Sequence, residues 1–145
     1  MTEIKRPKVG LGVILMDYSN DKVLLGKRKN AHGDGTWSFP GGHIEWMESL
    51  RDCAERELRE ETGLNLSSYR FEDVDACAVT NDFFKNENKH YITLYLRAEH
   101  IYDEPKIMEP KKCAEWKWYS WEKLPELNLF TPVRNLIKQG YNPFR

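Results

Sequence analysis

Runs of strand length that are apolar alternate with polar connectors along the chain, and one amphipathic run has helical length. Val9 to Met16 (VGLGVILM) and Lys22 to Arg28 (KVLLGKR) are aliphatic and β-branched, and Asp17-Tyr18-Ser19-Asn20-Asp21 separates them. That pattern predicts two strands joined by a turn. Asn30 to Thr36 (NAHGDGT) reads as a polar, Gly-rich loop, and Pro40-Gly41-Gly42 as irregular backbone. Phe71 to Asp82 and His90 to His100 read as strands, with DFFKNENK between them as a hairpin or loop. Trp116 to Tyr119 alternates as a late strand, and Pro132 to Gln139 reads as a second, short helix.

The main helix is predicted over Leu50 to Thr62. Ser49 with Asp52 three positions on is a capping-box start, and Gly63 is the residue favoured just past a helix end. At about 100° per residue, Leu50, Cys53, Ala54 and Leu58 share an apolar face, while Glu48, Arg51, Asp52, Glu55, Arg59 and Thr62 share the polar side. Glu57 and Glu61 fall on the apolar stripe, with Glu60 at its edge. Like charges at this spacing cost roughly 0.2 to 0.5 kcal/mol per pair, and burying ionised carboxylates together requires a cation. Oxygen-only ligands suit Mg²⁺, Mn²⁺ or Ca²⁺ rather than zinc. A solvated helix face with ion pairs such as Arg56 to Glu60 is the competing reading, and periodicity alone leaves the two about even.

Composition narrows the partners. The 145 residues are 40% hydrophobic and 12% aromatic, which fits one globular domain over residues 1–145. A net charge of −1 with interleaved acids and bases argues against binding duplex DNA or RNA. The three cysteines have no paired ligand spacing and read as reduced thiols of a cytoplasmic protein. No apolar run reaches the roughly 18 residues of a membrane span. Trp116, Trp118 and Trp121 read as core or a subunit interface rather than as a stacking platform.

Read with its flanks, RELREETG resembles the Nudix box: Gly42, Glu48, Arg56, Glu57, Leu58, Glu60, Glu61, Gly63 and Leu64 match with every spacing intact over 23 residues. LLGKRK (24–29), PGGHIE (40–45), HYIT (90–93), residues 109–125 and KQGYNPF (138–144) extend the likeness to the MutT-homologue nucleoside triphosphate diphosphatases, in the thiopurine-nucleotide diphosphatase branch. Met47 departs from the pattern, standing where many members have glycine.

The resemblance implies an α/β protein with the Nudix fold, an αβα sandwich around a mixed sheet. It implies Mg²⁺, with Mn²⁺ as a substitute, held by Glu57, Glu60, Glu61, the Gly41 carbonyl and Glu109, with Glu115 the next choice after Glu109. Arg56 would orient the glutamates, Glu48 would be chiefly structural, and Glu60 or Glu61 would be the general base. Arg28 and His43 are implied near the phosphates, and Phe39, Thr93, Phe130 and Val133 around the base. Each also has a plain reading as a core, loop or surface residue, and His90 is balanced between the two. The implied reaction is hydrolysis of a nucleoside triphosphate, canonical, modified or oxidised, to monophosphate and pyrophosphate. An ADP-ribose or nucleotide-sugar pyrophosphatase and a non-catalytic nucleotide-sensing Nudix module are the alternatives, and a homodimer is compatible with the family.

Overall fold

The computed structural model describes residues 4–29 and 32–145. Asn30 and Ala31, the start of the predicted Gly-rich loop, lie outside the described residues. Among the described residues, eight strands form one mixed sheet: β1 (Lys8–Asp17), β2 (Lys22–Arg28), β3 (Trp37–Ser38), β4 (Gly41–His43), β5 (Tyr69–Phe71), β6 (Ala78–Phe84), β7 (Lys89–His100) and β8 (Cys113–Ser120). The helices are α1 (Leu50–Thr62) and α2 (Thr131–Lys138). β1 and β7 pair in parallel along nine residues, and the other pairings are antiparallel.

β1 is buried on both faces, which is why it reads as a continuous apolar run rather than an alternating one. Leu11, Val13 and Leu15 turn to one side and meet Cys53, Ala54 and Leu58 of α1. Ile14 and Met16 turn to the other and join Val133 and Leu136 of α2. The sheet therefore lies between two helical layers, an αβα sandwich.

α1 has the predicted ends. Ser49 Oγ accepts from the Asp52 N–H, and Gly63 takes a left-handed conformation while its N–H bonds the Arg59 carbonyl. One wheel position is corrected. Thr62, assigned to the polar side, is fully buried, because the segment after β7 folds over the helix end and the Lys106 N–H bonds the Thr62 carbonyl at 2.8 Å.

Two strand readings also change. Phe71 to Asp82 is not one strand: pairing stops after Phe71 and resumes at Ala78. Asp73 accepts from the Arg97 backbone N–H at 2.9 Å and from its guanidinium at 3.0 and 2.8 Å, so a side chain takes the place of a ladder partner. Gly41 and Gly42, expected to be irregular, are a short strand paired with Gly12 and Leu11. A Cβ at Gly41 would stand 1.9 Å from the Leu11 carbonyl oxygen, so only glycine admits this pairing.

Candidate active site

β4 and the last two turns of α1 lie against each other, and the absence of a side chain at Gly42 makes their approach possible. A Cβ there would come within 2.5 Å of the Glu57 carboxylate. The site has its acids where α1 passes beneath this glycine pair. Glu57 is buried although charged residues seldom are, and the Gly41 N–H donates to Glu61 Oε1 at 3.2 Å.

Arg56 ties the cluster together. Its Nε and Nη2 bond the Glu48 carboxylate at 2.8 and 2.9 Å, Nη1 bonds Glu57 at 2.8 Å and Glu60 at 3.4 Å, and Nη2 also bonds the His43 carbonyl at 3.0 Å. The guanidinium holds the Glu48 carboxyl at about 2, well below its ordinary value of 4.5. Because the folded value is the lower one, the tether's stabilisation is complete above about pH 4.5 and drains away as pH falls towards 2. Thermal unfolding of wild type and Glu48→Gln should therefore differ most at neutral pH and converge as the pH approaches about 2; a gap that stays constant on acidification contradicts this.

Glu61 behaves oppositely. Burial pushes its carboxyl well above the usual carboxylate range, and the hydrogen bond and charge of Glu57 add to the effect. Two carboxylates this close keep a proton between them unless a cation compensates. The donors are all oxygens, which fits a hard divalent ion. Among the described residues no three acidic, His or Cys groups stand together as a ready ligand set; Glu57 and Glu60 both bond Arg56, and Glu60 is half open to solvent.

The segment after β7 carries Glu109 to the same place. Its backbone caps the end of α1, with the Met108 N–H on the Glu61 carbonyl, and the Trp116 indole N–H reaches that carbonyl from β8. Glu109 consequently lines the acidic cleft of about 450 Å³ with Glu57, Glu60 and Glu61, and Glu115 does not. Glu45, not singled out in the sequence, also lines it, 3.8 Å from Arg56.

A second cavity of about 300 Å³ adjoins the cleft, and Arg28, Ser38, Gly41, Gly42 and His43 line both. Phe39, Thr93, Phe130 and Val133 line the cavity too, so all six predicted substrate residues meet there. Arg28 lies 3.9 Å over the Phe130 ring, and its Nε donates to the His32 carbonyl at 2.6 Å. The sequence reading missed His32, Phe84 and Tyr91. His32 meets Phe84 and Phe130 edge-on, bonds Glu87, and stacks with Tyr91, which in turn stacks on His43. Alternation along β7 could have found Tyr91, two positions before Thr93, whereas His32 sits in a loop without periodicity. His90 does not line the cavity; it bonds Asn81 and stacks on Phe83.

The family profile described as NUDIX domain matches residues 6–139. The chain belongs to the Nudix family. It is similar to the zebrafish (Danio rerio) m7GpppN-mRNA hydrolase, 48% identical over 62 residues that make up 41% of this chain and 21% of that protein. It is also similar to the mouse (Mus musculus) oxidized purine nucleoside triphosphate hydrolase, 26% identical over 83% of this chain and 72% of that protein. Among solved structures, a MutT NUDIX hydrolase from Burkholderia pseudomallei superposes with a TM-score of 0.78 at 26% identity, covering 94% of this chain and all of the other. This Nudix chain thus falls among the hydrolases of phosphoric anhydrides. No helix among the described residues is long and apolar enough to cross a membrane.

Proposed function

We propose that this Nudix hydrolase is a Mg²⁺-dependent nucleoside triphosphate diphosphatase that releases a nucleoside monophosphate and pyrophosphate. The observation that carries the reading is the shared wall: an aromatic-lined cavity of about 300 Å³ adjoins, across Gly41, Gly42 and Arg28, a cleft of glutamates. A base between the aromatic rings would direct its phosphates over the glycine pair towards α1.

In this reading Glu57, Glu61 and the Gly41 carbonyl hold the metal, Glu60 turns in from its solvent-facing position, and Glu109 joins from its loop. Mg²⁺ bound there, or Mn²⁺ in its place, would neutralise phosphate charge and acidify a water molecule. Arg56 keeps the carboxylates aligned, and Arg28, with its charge desolvated in the wall, pairs with a phosphate oxygen. Between the two base candidates, the solvent-open Glu60 is the better placed to take a proton from water, and the enclosed Glu61 the better ligand. Three free cysteines fit a reducing, cytoplasmic setting.

The test is a panel of canonical and oxidised nucleoside triphosphates, ADP-ribose, nucleotide sugars and capped dinucleotides with Mg²⁺, with every product identified. Pyrophosphate and monophosphate from triphosphates is the expected result. A sugar phosphate with no pyrophosphate makes the chain a diphosphate-sugar hydrolase, and tight binding without turnover makes it a sensing module. Preferred cleavage of the capped dinucleotides aligns it with the zebrafish relative.

A further inference from the structure

Behind the cavity wall lies a buried carboxylate that the proposed chemistry does not use. Asp82 on β6 is fully buried, and three donors converge on it. The Thr93 hydroxyl donates to Oδ2 at 2.6 Å, the Thr80 hydroxyl donates to the same oxygen at 3.1 Å, and Asn135 Nδ2 donates to Oδ1 at 2.9 Å. Thr93 and Gly10 both line the cavity, and the Thr93 Oγ1 lies 3.9 Å from where a Gly10 Cβ would stand, so the hydroxyl is on the Gly10 side of the residue.

A hydroxyl has one proton, and Thr93 commits its own to Asp82. Towards the cavity it presents only lone pairs. Tyr95, the neighbouring hydroxyl on the same wall, has its single proton engaged by the Pro132 carbonyl or by the Thr80 hydroxyl, so it adds no free donor there. Thr93 is also recessed, with 8% of its surface open.

Resting on the nucleotide reading of this cavity, we propose that Asp82 is a positioning residue that fixes Thr93 as a hydrogen-bond acceptor. The site thereby selects bases with an exocyclic amino group over their oxo counterparts. A carbonyl brought to Thr93 meets lone pair against lone pair at that hydroxyl, whereas an amino group completes the hydrogen bond.

Two pairs of nucleotides exchange this group, and with it the protonation of the adjacent ring nitrogen: adenosine against inosine, and cytidine against uridine. Calorimetric binding of the four monophosphates, together with kcat/KM for the four triphosphates, should favour the amino member of each pair on the order of ten- to a hundredfold. Thr93→Val, which removes the acceptor while keeping the shape, should bring both ratios to about one. In Asp82→Asn the Asn135 amide keeps its N–H direction because it also donates to the Asn81 carbonyl at 3.5 Å. The introduced amide therefore turns its own N–H towards the threonines, the Thr93 proton is released into the cavity, and the preference inverts towards inosine and uridine nucleotides.

Equal binding within each pair in the wild type, or a preference that survives Thr93→Val, overturns the proposal. So does a folded Asp82→Asn with an unchanged ratio, and so does the absence of binding by all four monophosphates. Turnover of triphosphates without preference overturns the selection and leaves the diphosphatase reading standing. A monophosphate preference without turnover supports the selection and sinks the diphosphatase.

Discussion

Glu61→Gln is expected to retain the fold and lose turnover by about 10²- to 10⁴-fold, the range for removing a group that acts directly on the reacting water or its metal. The same change removes a carboxyl whose charged form is disfavoured by burial and by Glu57. A glutamine keeps the hydrogen bond from the Gly41 N–H without that electrostatic conflict. The variant should accordingly unfold, in the absence of metal, at a temperature equal to or above that of the wild type. Steady-state kinetics beside thermal unfolding with and without Mg²⁺ reads both effects. Wild-type kcat in Glu61→Gln removes this glutamate from the chemistry, and a collapsed unfolding temperature shows that its role is structural.

Arg56→Met is expected to have the largest effect on stability. Methionine occupies much of the arginine stem but leaves Glu48 and Glu57, both largely enclosed, without their cation. Breaking a buried pair from one side costs about 3–5 kcal/mol, and the lower end applies here because part of the guanidinium remains in contact with water. Activity should fall as well, since Glu57 and Glu60 lose the group that sets their direction. Arg56→Lys should recover part of the stability and little of the activity, because one ammonium cannot fork between Glu48, Glu57 and the His43 carbonyl. Chemical denaturation with kcat measured on the same preparations separates these outcomes, and a loss under about 1 kcal/mol in Arg56→Met would place the tether among weak surface contacts.

α1 was legible from the sequence because its determinants are local. Ser49, Asp52 and Gly63 mark the ends, and a 3.6-residue period places Glu57 and Glu61 on the stripe of Cys53, Ala54 and Leu58. Thr62 escaped the same rule, since what covers it is a segment more than forty residues further on. The break after Phe71 escaped as well. Asp73 takes over a ladder position only because β7 brings Arg97 beside it.

Gly41 and Gly42 looked like punctuation and proved to be a strand. Their lack of side chains serves close approach to Leu11 and Glu57 rather than a turn. Met47 takes the left-handed conformation, φ 60°, that glycine adopts without strain, and it does so on the surface.

By itself, the sequence determined the helix, its carboxylates and the chemical class of reaction, because spacing along one element and a contiguous box carry that information. Only the tertiary structure decided that Glu109 rather than Glu115 faces the cleft, that His32 and Tyr91 help wall the cavity, and that Asp82 sets the direction of the Thr93 hydroxyl. These relations join residues from different strands and loops. They depend on how the sheet packs, and no periodicity along the chain records that.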